Sequence, residues 1–71
     1  MEMHRVSSSN IHSIGYDEAH LKMQVKFHSG ALYEYSNVQL RRYELFMTSI
    51  SKGRYFDEYI KEKYPCRKLS G

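Results

Sequence analysis

Four histidines, His4, His12, His20 and His28, recur every eight residues. Imidazole is the commonest metal ligand and a ready base near neutral pH, so the repeat invites a test for a metal centre. It fails that test. The four fall in an N-terminal tail, a strand and two turns, not on one helix face or at zinc-ligand spacing. The single cysteine, Cys66, follows Pro65 near the end of the sequence. It has no partner for an internal disulfide and suits a reducing cytoplasm. Serines crowd the N-terminal stretch, yet no nucleophile-elbow pattern accompanies them. The sequence therefore offers no catalytic residue, cofactor motif or metal site, and an enzyme is the least supported class.

The cations are more suggestive. Residues 1–40 carry three basic and four acidic side chains, while residues 41–71 carry eight and four, so the net charge of +3 arises wholly in the second part. Such asymmetry favours an anionic partner. Projected at about 100° per residue, Arg41, Leu45, Thr48 and Lys52 share the outer face of a helix. Arg42 and Ser49 lie beside them, and Arg54 follows in the connection. Arg41, Arg42, Lys52 and Arg54 form a candidate phosphate-contacting patch for RNA, with Tyr35 as the ring at the sheet edge on which a base could stack. Lys22, Lys26 and the tail "CRK" could extend it. A solvated helix face explains the same residues without any ligand, and Asp57, Glu58, Lys61 and Glu62 give the second helix a net acidic surface. Leu45, in the middle of the basic face, suits a protein surface better than RNA. It supports the alternative of a protein-interaction domain that uses Leu45 and the exposed sheet edges, toward another protein or a second copy of the chain.

These residues must be held by a small scaffold. With 71 residues there is one domain at most, near the lower limit for a core without metals or disulfides. Seven Tyr and three Phe with no Trp mean that rings supply much of the buried area. No apolar run approaches the roughly 18 residues of a membrane span, and "MEMHRVSSSN" lacks the apolar stretch of a signal peptide. The expectation is a soluble, cytoplasmic chain with no membrane partner.

Residues 1–9 read as a loose N-terminal segment, 10–64 as a single domain and 65–71 as a flexible tail. "IHSIGYD" is a first strand with Ile14 and Tyr16 on one face. Leu21, Met23, Val25 and Phe27 then alternate with Lys22, Gln24, Lys26 and His28, a strand with one dry and one wet face. The hairpin that follows decides where Tyr33 and Tyr35 point. A two-residue turn at Ser29 and Gly30 would put both on the lysine face, but it asks serine for a left-handed backbone. A three-residue loop, His28 to Gly30, asks this only of glycine. Phe27 then faces Ala31, Val25 faces Tyr33 and Met23 faces Tyr35, with both tyrosines inward; a slip of one residue would reverse this.

A helix should start after Ser36 or Asn37 as N-cap, with Gln39 completing a capping box. Leu40, Tyr43, Phe46, Met47 and Ile50 make its apolar stripe, and Gly53 suits the left-handed position past its end. A second helix runs from about Arg54 to Tyr64, with Tyr55, Phe56, Tyr59 and Ile60 on one face, and Pro65 stops it. The expected architecture is α+β: a three-stranded antiparallel meander followed by two short helices packed on one face.

Several strings together, "SSSNIHSIGYD", the alternating strand, "YEY" after a glycine, "NV" before a helix and "SKGRYFDEYIKEKY", resemble the KTSC domain family over about Val6 to Tyr64. That family occurs at the C-terminus of some lysyl-tRNA synthetases and as short free-standing bacterial proteins. The resemblance implies a small binding module, with RNA suggested by the synthetase context, and no catalytic residue. Members often have proline after the "NV" step, where this chain has Gln39.

Overall fold

Alternation in "KMQVKF" is realised as expected. In the computed structural model, which describes residues 1–71, Met23 and Val25 are fully buried while Lys26 faces solvent. This strand, β3 (Lys22–Phe27), pairs antiparallel with β4 (Leu32–Tyr35), Met23 opposite Tyr35 and Val25 opposite Tyr33. The loop is the three-residue form. The Phe27 amide donates to the Ala31 carbonyl at 2.9 Å, the Gly30 amide donates to the Phe27 carbonyl at 2.9 Å, and Gly30 has φ +100°. A Cβ at Gly30 would meet nothing within 4 Å, so glycine is needed for its backbone conformation, not for space. Gly30→Ala is expected to lower stability by about 1–2 kcal/mol, read as a lower urea midpoint with an unchanged m value.

The first strand, β2 (Ile11–Asp17), pairs with β3 through a bulge between Ile11 and Ser13. The extra residue lets Ile11 and Ile14, three apart, both reach the core. Tyr16 follows them inward; its hydroxyl donates to the Val38 carbonyl at 2.6 Å and its ring stacks on Tyr43 at 4.7 Å.

The sheet has five strands, not the three expected, and their order across it follows their order along the chain. The additional two are β1 (Met3–Arg5), laid along β2, and β5 (Cys66–Ser70), laid along β4. They come from the segments read as a loose leader and a flexible tail. Every residue of β5 is exposed, so no dry face exists to leave a two-residue period. Pairing is carried by backbone bonds to edges that would otherwise be open. β1 also explains Gly15, where a Cβ would lie 2.6 Å from the Met3 sulfur and 2.8 Å from the Glu2 carbonyl.

α1 (Leu40–Thr48) starts without a capping box. Gln39 is its N-cap and makes no side-chain bond, Ser36 accepts instead from the Lys22 ammonium at 2.8 Å, and Asn37 is left-handed at φ +63°. The chain is turned into the helix by Val38, which is fully buried and whose amide donates to the Leu21 carbonyl. Only Phe46 of α1 is fully buried. Ile50 is not part of the stripe: the helix ends at Thr48, Ser49 is extended, and Ile50 is fully exposed at 104%. The stop comes from Ser49, whose amide and hydroxyl both donate to the Phe46 carbonyl. Gly53 does not end α1; it lies inside α2 (Lys52–Tyr55), which Ser51 caps by accepting from the Arg54 amide at 3.3 Å.

α2 runs directly into a π-helical segment, Phe56–Ile60, closed by the Lys61 amide donating to the Phe56 carbonyl. The helix therefore stops at Ile60 rather than Tyr64, with Glu62 left-handed at φ +60°. The wide turn sends both Phe56 and Ile60 into the core. That core, nine residues including Ile11, Ile14, Met23, Val25, Tyr35 and Val38 with Phe46, Phe56 and Ile60, sits between the sheet and its single helical layer. No helix is long and apolar enough to cross a membrane.

Candidate functional site

The four cations expected to face outward together do not all do so. Arg41 and Arg54 are exposed. Arg42 is half-buried and turned onto a ridge of tyrosines: Nε donates to the Tyr64 hydroxyl at 3.2 Å, Nη1 donates to the Tyr55 hydroxyl at 2.9 Å, and the guanidinium lies 5.2 Å from the centre of the Tyr59 ring. The Tyr55 bond, then the Tyr64 bond, holds the guanidinium even more firmly protonated than usual. Lys52 is half-buried as well, its ammonium donating to the Ser49 carbonyl. Two of the four are thus engaged in holding α1, α2 and the π-helical segment together.

Tyr35 is not a ring at the sheet edge. β5 covers the outer side of β4, the ring packs at 5.9 Å against Phe56, and the residue is only 4% exposed. Burial, followed by the nearby Cys66 and Tyr33, pushes its hydroxyl well above the usual phenol range. Leu45 is exposed at 37%, on the outer surface where the helical projection put it.

What the structure does assemble is an apolar recess of about 340 Å³ where the chain passes from α1 to α2. Ile50, Tyr55 and Tyr59 form its walls, and Arg54 and Glu58 stand at its rim. Tyr55 is stacked on buried Phe46 at 5.5 Å and meets Tyr59 at 4.6 Å with the planes tilted by 36°, so the wall is anchored to the core. Tyr59 remains exposed at 44%. Counting Ile50 into the helical stripe hid this site from the sequence. The signal that points to it is the isolated aliphatic in "TSISKG", serine on either side, which marks a loop tip and not a stripe position.

The histidines are dispersed. His12 and His28 meet edge to face at 5.6 Å, the His28 Nε2–H donates to the Ser8 carbonyl at 2.9 Å, and His12 Nδ1 bonds the Ser13 hydroxyl at 3.0 Å. Partial burial, then Arg5, His28 and Lys26, lowers the His12 pKa. No three His, Cys, Asp or Glu side chains are close enough together to hold a metal ion.

Fold and surface together define a small α+β domain: one antiparallel meander, one helical layer, and a tyrosine ridge bordering an apolar recess. The chain belongs to the KTSC domain family, whose profile matches residues 7–64. It is similar to a KTSC domain protein from Yersinia pestis of known crystal structure, with 43% identity over 96% of both chains and a TM-score of 0.94. An uncharacterised protein from Stutzerimonas stutzeri (strain A1501) is 34% identical over 59 residues, 83% of each chain.

Proposed function

We propose that this chain is a small non-enzymatic binding module that engages another protein through the recess walled by Ile50, Tyr55 and Tyr59. The supporting observation is Ile50. A fully exposed aliphatic in the wall of an aromatic recess contributes about 1.5–3 kcal/mol to association when a partner removes it from water. The exposed Tyr59 belongs to the same apolar surface, Leu45 is a further exposed aliphatic on α1, and tyrosine with arginine is the composition typical of interface anchors. RNA is the second reading. Arg54 and the exposed Tyr59 line one recess, and a cation beside an open ring is what single-strand recognition uses. It draws less support because Arg42 and Lys52 are committed internally.

A photo-crosslinking phenylalanine analogue at position 50 of the full chain, illuminated in cells, separates these readings. The expected result is a discrete adduct that resists nuclease and is absent when the analogue replaces Lys63. A nuclease-sensitive adduct transfers the site to RNA. Absence of any discrete adduct at position 50 overturns the proposal.

A further inference from the structure

A second recess lies on the opposite flank of the helical layer, between β4, β5 and the π-helical segment. It also measures about 340 Å³. Phe27, Tyr33, Tyr35 and Phe56 wall it, and Lys61, Glu62 and Cys66 bound it. The rings hold one another edge to face: Phe27 to Phe56 at 5.3 Å, Tyr35 to Phe56 at 5.9 Å and Phe27 to Tyr33 at 6.0 Å, with planes 76–83° apart. That mutual packing fixes the walls without filling the space between them, as in a preformed pocket.

The decisive group is Tyr35. Although the residue is 96% buried by its exposure of 4%, its hydroxyl makes no hydrogen bond within the protein, in contrast to Tyr16, Tyr55 and Tyr64. No sealed side-chain nitrogen or oxygen in the chain lacks a partner, so this hydroxyl is not sealed, and the space it borders is the recess. A phenol held in such surroundings stays protonated and so remains a donor.

We propose that this recess binds a small, flat, neutral aromatic molecule whose hydrogen-bond acceptor meets the Tyr35 hydroxyl while its ring lies among Phe27, Tyr33 and Phe56. Neutrality follows from the rim, where Lys61 and Glu62 are one cation and one anion, so neither charge on a ligand is favoured. A small molecule is selected over a through-running peptide because β5 pairs with β4 from Leu32 to Tyr35 and shuts one side. The turn at Lys61 and Glu62 borders the recess as well. The site is separate from the Ile50 recess and does not depend on that reading.

Benzamide is the probe, since its ring fits the walls and its carbonyl is the acceptor. Titrated into the ¹⁵N-labelled full chain, it should shift the amide resonances of Tyr35, Phe56 and Cys66 saturably, with Kd of about 1 mM. It should also slow the reaction of the exposed Cys66 thiol with a disulfide reagent. Tyr35→Phe keeps the ring and removes the donor, and is expected to weaken binding about tenfold. Urea titration of that variant verifies that it folds, and benzene, which has no acceptor, should bind both chains equally. The proposal is overturned if benzamide produces no saturable shift in the parent chain, if the shifts fall at Ile50 and Tyr59, or if the folded Tyr35→Phe variant binds benzamide as tightly as the parent.

Discussion

Phe46→Ala is expected to abolish the folded state under conditions where the parent chain is stable. Phe46 is the one fully buried residue of α1 and stacks on Tyr55 with planes only 15° apart, linking the sheet-facing core to the tyrosine ridge. Truncating such a ring costs about 3–5 kcal/mol, while the core of a domain this small supplies about 3–5 kcal/mol in total. The two magnitudes meet, so the variant should show little cooperative transition in urea followed by far-UV circular dichroism. Phe46→Leu retains most of the volume and should fold, with a loss of about 1–2 kcal/mol. Cooperative unfolding of Phe46→Ala near the parent midpoint would mean that the helical layer is not anchored through this ring.

Arg42→Ala should lower stability by about 2 kcal/mol, a value reached by discounting two charge-assisted hydrogen bonds for partial solvent exposure. The guanidinium has no carboxylate partner within bonding distance; its acceptors are the neutral hydroxyls of Tyr55 and Tyr64. The loss should therefore be nearly the same in low and high salt, unlike that of an ion pair. Arg42→Lys should recover only part of it, because an ammonium lacks the planar fork that reaches two hydroxyls at once. An unchanged urea midpoint in Arg42→Ala would free this residue for the phosphate-contacting role read from the sequence.

The hairpin was fully legible in the sequence because one residue controls it. Gly30 is where a left-handed backbone is tolerated, and this selects the loop length that turns Tyr33 and Tyr35 inward. The bulge in β2 and the π-helical turn were not legible. The bulge brings Ile11 into the core against the strict two-residue alternation, and Phe56 and Ile60 satisfy an ordinary helical spacing as well as a π one. β1 and β5 left no periodic signal because little of either is buried; both flank the segment that matches the family. Two of the four cations of the basic patch left their projected positions for a related reason. A helical projection assigns a polar residue outward, yet Arg42 and Lys52 fold their long stems along the protein to reach hydroxyl and carbonyl oxygens. Arg41, Arg54 and Leu45 remain exposed on the surface.

β5 has one further effect. Its outer edge, the open margin of the sheet at that end, carries Arg67 and Lys68 in adjacent positions, and only Arg67 is neutralised, by Glu34 at 3.3 Å. Two identical edges approaching in antiparallel fashion would bring these like charges close together. Ribbon growth by edge-to-edge stacking is thereby opposed at high protein concentration, and crowded solutions of the molecule should resist fibril formation until salt screens the lysine; acidification that protonates Glu34 frees the Arg67 charge as well and should strengthen the resistance.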